Sequence, residues 1–145
     1  MKLWPRIVLF VGLGILAAYS DAQDASAYKV IVNPSNGTTQ LSRLKVGEMF
    51  LKKNTRWADG APVMPVELPA KTQVRQRFTL EIYGKQVIAI SAYWQQMIFG
   101  GKAIPPPEKS SDADVVAYVR DTPGAIGYVW AGTDTSGVRV ISVAE

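Results

Sequence analysis

The chain has 145 residues with 16 basic and 12 acidic side chains, and it contains neither histidine nor cysteine. This inventory excludes Ser-His and Cys-His nucleophilic pairs, a thiolate nucleophile and any zinc site with nitrogen or sulfur ligands. The net charge of +4 is mild and spread along the chain, which argues against a nucleic-acid partner and leaves room for an anion or an acidic partner.

Lys2 and Arg6 precede an apolar run over residues 7–18, too short to cross a bilayer as a helix, and Ala25 and Ala27 suit cleavage before Tyr28. Residues 1–27 therefore read as a secretory signal peptide, with a cut near Ser20 or Ala22, or an uncleaved anchor, as the alternatives. Its removal leaves the charge at +4, because Lys2 and Arg6 balance Asp21 and Asp24. Residues 28–145 then form one domain, expected in the periplasm with no stable membrane anchor after cleavage. Without disulfides it depends on hydrophobic burial, which Trp57, Trp94 and Trp130 and the chain's apolar content of 48% can supply.

Residues 28–33, YKVIVN, alternate around valine and isoleucine as a strand does, and Pro34 ends the run. Asn36-Gly37 is a hairpin signal in isolation, but no alternating strand follows it, so a loop is expected through Gln40. Ser42 is placed to cap a helix through Leu44, Val46, Met49 and Phe50 to about Lys53, weakened a little by Gly47. Asp59-Gly60 marks a reversal before a second strand over residues 63–68, with Trp57 packed as a lid over the edge of the core. Thr72 caps a second helix whose Val74, Phe78 and Ile82 share one face and which Gly84 ends. A third helix follows from about Gln86 to Phe99, with Ile90, Trp94, Met97 and Ile98 at core spacing.

A stiff, proline-rich connector over residues 100–110 leads to Ser111, the cap of a fourth helix in which Val115, Val116 and Val119 form the buried stripe. Pro123-Gly124 forces a turn, residues 125–129 read as a strand buried on both faces, and residues 138–143 as a last alternating strand. The order implies an α/β fold, a mixed sheet flanked by helices.

Carboxylates stand where structure wants them: Asp112 and Asp114 in a first helical turn, Asp59 in a reversal, Glu108 after the prolines. No phosphate loop and no GxGxxG fingerprint occurs, so a non-enzymatic protein with no cofactor and no metal is expected. The sharper candidate is the start of the second helix. Lys71 precedes the cap Thr72, Gln73 follows it, and Arg75 lies in the first turn, where the helix dipole disfavours cations. Free amides, a hydroxyl and two basic side chains make Lys71, Thr72, Gln73 and Arg75 a candidate anion site, the alternative being two cations that reach into water.

Several stretches in order, KVIVNPSN, LSRLKVGEMFLKKNTRWADGAPVMPVE, FTLEIYG, SDADVVAYVR with TPGAIGYV, and VRVISV, resemble the phosphate-binding component of phosphate ABC transporters, a family of periplasmic substrate-binding proteins. The resemblance implies one lobe, similar to the second, of a type II periplasmic binding protein, with inorganic phosphate or another small oxyanion as ligand. In that family the matching helix start carries Ser-Gly-Thr with an arginine slightly upstream. This chain reads Ala70-Lys71-Thr72 there, with Glu67 near the arginine's place. A protein-interaction module that has kept the fold and lost the ligand is the alternative, favoured if Trp57 and Trp130 lie together on the surface.

Overall fold

The computed structural model describes residues 27–145. Apart from Ala27, the expected signal peptide lies outside the described residues. Elements run in the order β1 (Tyr28–Val32), β2 (Gln40–Ser42), α1 (Arg43–Phe50), β3 (Met64–Pro65), α2 (Gln73–Tyr83), α3 (Val87–Phe99), α4 (Asp112–Asp121), β4 (Ala125–Trp130) and β5 (Arg139–Ala144). The strands form one mixed sheet of order β2-β5-β1-β4-β3. Central β1 runs antiparallel to both β4 and β5, whereas the outer strands β2 and β3 run parallel to β5 and β4.

Helix starts follow local chemistry. Ser42, Thr72 and Ser111 each adopt extended backbone and accept an amide proton from the third residue on, which satisfies one of the donors that a helix leaves open. Gly84 closes α2 in the left-handed conformation. Helix α1 ends at Phe50 rather than near Lys53, since Leu51 is its cap and Lys52 already has a positive φ. Two strands also differ from expectation. Residues 40–42, between the expected loop ending at Gln40 and the expected cap Ser42, form β2 by pairing with β5, and the strand expected over residues 63–68 contracts to Met64–Pro65.

β4 sets which helix lies on which face of the sheet. Its alternate residues face opposite ways. Gly127 looks toward α4, where an added Cβ would lie 2.8 Å from Val115, 3.2 Å from Val119 and 2.9 Å from Val66 of the β3 segment. Tyr128 looks toward α1 and α2, its ring stacked on Phe78 with centroids 3.8 Å apart and planes 7° apart, and tilted against Phe50 at 5.7 Å. Tyr28 of β1 closes this aromatic group edge-on against Phe78. Trp57 is buried as the lid, its indole N–H donating to the Gly124 carbonyl at 2.9 Å. A Cβ on Gly124, whose φ is +78°, would meet the Pro62 carbonyl at 2.2 Å.

Asn33, just beyond β1, locks this arrangement from the polar side. Its buried amide donates to the carbonyls of Val119, Arg120 and Thr122, the open end of α4, while its side-chain oxygen accepts from Ser35. Asn33→Ala takes this partner from the Val119 and Arg120 carbonyls, while the Thr122 carbonyl keeps the Ala125 amide, and is expected to cost about 2–4 kcal/mol. Gly127→Ala forces three valines apart and is expected to cost about 1–3 kcal/mol. Urea denaturation midpoints measure both.

Candidate functional site

The anion site expected at residues 71–75 stands where the β3 segment hands over to α2. Val66 donates its amide to the Ile126 carbonyl, and Glu67 exchanges backbone hydrogen bonds with the proline connector through Pro107 and Lys109. The chain then turns at Pro69, whose carbonyl accepts from the Thr72 amide at 3.0 Å and the Thr72 hydroxyl at 2.9 Å. The same hydroxyl accepts the Arg75 amide at 3.3 Å. The Gln76 amide bonds to the Thr72 carbonyl, so by helix geometry the amides of Gln73 and Val74 have no partner within α2.

The four residues do not act together. Lys71 and Gln73 are exposed, Thr72 is half-buried, and Arg75 is buried. The guanidinium of Arg75 reaches neither an anion position beside Lys71 nor water. It turns inward, donating to the Leu68 carbonyl at 2.6 Å and pairing with Glu67 at 3.2 Å and Glu108 at 3.6 Å. Two carboxylates thus surround one guanidinium beneath the helix start, and the cluster carries a net negative charge when both are ionised. What remains for an anion is Lys71, the two open amides and the helix dipole.

Glu67 is the group that sequence reasoning did not assign to this site. It is buried, with its carboxylate accepting a short hydrogen bond from the Tyr128 hydroxyl. Burial pushes its pKa up from 4.5 to about 7, against the pull of Arg75 and Tyr128 and with a further push from Glu108. Burial and the neighbouring Glu67 raise the Tyr128 hydroxyl as well, so it stays a donor. The signal lay in residues 63–68, where an acid between Val66 and Leu68 in an apolar run calls for a buried cation, and Arg75 supplies it.

Beside Gln73 a cleft of about 420 Å³ opens along the outer side of α2, walled by Val74, Arg77, Leu80 and Trp130. Trp57 and Trp130 do not lie together on the surface, being 6% and 55% exposed. The other acids hold structure: Asp112 accepts from the Trp130 amide and the Thr133 hydroxyl, and Asp114 from Ser110. Among the described residues, no three Asp, Glu, His or Cys side chains gather where they could hold a metal.

No protein-family model and no curated protein matches this chain. Solved structures do. A substrate-binding protein assigned to phosphate ABC transport from Clostridium perfringens, solved with bound phosphate, superposes with a TM-score of 0.62 at 18% identity, over 82% of this chain and 47% of that one. An ABC-type phosphate transport receptor from Vibrio cholerae gives 0.62 at 15% identity, over 81% and 46%. A protein assigned as phosphate-binding from Planctomyces limnophilus gives 0.62 at 17%, over 82% and 42%. The likeness is one of fold: a mixed sheet flanked by helices, matching one lobe of a periplasmic binding protein. This chain spans less than half the length of these proteins.

The raised pKa of Glu67 has a definite sign. The folded state holds the proton up to about pH 7 while the unfolded chain releases it near 4.5, so the stability is fully present below 4.5 and is lost as pH rises through 7. The loss is on the order of 3 kcal/mol. Thermal unfolding is expected to show Tm falling by several degrees across this window, and Glu67→Gln is expected to flatten the slope.

Proposed function

We propose that this chain is an exported, non-enzymatic domain related to the substrate-binding proteins of phosphate transport, working in the periplasm as a single lobe with weak, one-sided affinity for a small oxyanion. The observation that carries the reading is the start of α2, where Lys71, the Thr72 cap and the open amides of Gln73 and Val74 face outward on a fold shared with phosphate-transport proteins. Arg75 contributes position rather than charge, because Glu67 and Glu108 neutralise it. A ligand gripped from one side keeps part of its hydration, which fits millimolar rather than micromolar binding.

A second reading, an interaction module that has kept the fold without the ligand, draws support from Leu80, Ile88 and Trp130, exposed apolar side chains lining adjoining clefts along α2.

Sulfate, which does not titrate near neutrality, separates the two. Under the first reading, sulfate at about ten times its Kd raises Tm by about 5 °C. The rise is larger at about pH 5 than at about pH 8, because protonation of Glu67 removes the negative charge behind the site. Glu67→Gln brings the pH 8 response up to the acidic one, and Lys71→Ala and Thr72→Ala abolish the sulfate shift whatever their effect on baseline Tm. A flat sulfate titration at millimolar concentration in both wild type and Glu67→Gln overturns the oxyanion reading.

A further inference from the structure

Helix α3 carries no charged residue along its whole length. Between residues 85 and 107 the chain holds two lysines, Lys85 and Lys102, and no acid. The inner side of α3 has its partners. Ile90 and Trp94 are buried, Tyr93 meets Trp94 edge-on at 5.0 Å, and the Tyr93 hydroxyl donates to the Leu51 carbonyl at 3.2 Å. Even so, neither Ile90 nor Trp94 belongs to the main core cluster.

The outer side has no comparable cover. Ile88 is 77% and Phe99 89% exposed, and eleven residues, about three turns, separate them, so they lie along one line of the helix. Ile98, expected in the core, is half-exposed between that line and the buried side. At the helix end the Gly101 amide bonds to the Ile98 carbonyl and the Lys102 amide to the Met97 carbonyl, with Gly101 at φ +63°. The chain doubles back there, and Ile104 emerges 70% exposed. Scattered exposed apolar residues are ordinary on a protein surface, but four large ones on a segment without an acid mark a contact surface.

Charge decides what the surface contacts. Lys85 sits just before the N-cap Gln86, at the end where the helix dipole disfavours a cation, and Lys102 sits between Phe99 and Ile104. The cations thus bracket an uncharged helix roughly 20 Å long, with neutral Gln95 and Gln96 exposed along it. A projecting phenylalanine flanked by lysine, with no acid nearby in the chain, suits an apolar fluid beneath an anionic layer.

We propose that the outer face of α3 and the turn after it form a peripheral membrane-contact surface, with Ile88, Phe99 and Ile104 entering the headgroup–acyl boundary and Lys85 and Lys102 pairing with anionic lipid headgroups. The contact is reversible and salt-sensitive, unlike an anchor. It is independent of the oxyanion reading, since none of these residues lies at the start of α2.

The chain has no cysteine, so Phe99→Cys or Ile104→Cys carrying an environment-sensitive nitrobenzoxadiazole label reports on that position alone. Full-length labelled protein is mixed with phosphatidylcholine vesicles made with and without phosphatidylglycerol. Both labels are expected to shift to the blue and brighten severalfold on the anionic vesicles, and to lose the change at high salt. A label at Ser136→Cys in the β4–β5 turn is expected not to respond. Adding Lys85→Gln and Lys102→Gln to Phe99→Cys is expected to weaken vesicle affinity by about thirtyfold at low salt. The proposal is overturned by no change at Phe99→Cys, by an equal change at Ser136→Cys, which would point to insertion through the N-terminal segment, or by an equal change on phosphatidylcholine alone. A Phe99→Cys response that needs no vesicle and grows with protein concentration also overturns it, in favour of a contact between protein chains.

Discussion

The side chain of Tyr128 joins the core to the candidate site. Its ring lies flat on Phe78 and against Phe50, so it belongs to the aromatic packing between the sheet and the first two helices. Its hydroxyl hydrogen-bonds the Glu67 carboxylate and lies 3.4 Å from the Leu68 amide, at the base of the oxyanion candidate. The ring contributes dispersion and burial, while the hydroxyl gives a buried acid one of the partners it requires. Because residues 126–130 of β4 pair with β1, the register of the sheet also fixes where that hydroxyl stands. Packing and electrostatics here are two ends of one residue.

Around that point the buried ions define a trade. Taking Glu67 and Arg75 out of water is costly, and their attraction offsets the cost only because the guanidinium also bonds the Leu68 carbonyl and reaches Glu108. The gain is positional: the start of α2 is tied to the β3 segment and to the proline connector at once. The Arg75 charge that its place in the first turn of α2 would offer to an anion instead holds these elements together. The helix is thus well placed for an anion and poorly charged for one.

Most of the architecture was legible because its causes are local. Ser42, Thr72 and Ser111 announce helix starts through side chains that reach only three residues ahead, and residues 125–129 announce a strand buried on both faces by their unbroken apolar run. What stayed hidden depends on partners far along the chain. Residues 40–42 are a strand only because β5 lies beside them, a pairing across about a hundred residues. Ile98 fits the spacing of Ile90 and Trp94 loosely, sitting about 80° round the helix from Ile90, and falls on the outer side. Gly47 reads as a weak spot in α1, yet a Cβ there would stand 3.1 Å from the Tyr83 ring, so its smallness lets α2 approach. Arg75 itself gives no sign of turning inward; the sign is Glu67, an acid inside an apolar run several residues upstream.

The pairing of β1 has a consequence for the order in which the molecule can assemble. This strand occupies the middle of the sheet, yet both its neighbours come from the far end of the chain, residues 125–130 and 139–144. As the polypeptide emerges from a ribosome or a translocation pore, β1 waits with its hydrogen-bonding edges open until residues about a hundred positions further along have appeared. Assembly is therefore a late, all-at-once event dominated by distant contacts, a topology that folds slowly and leaves an apolar strand exposed in the meantime.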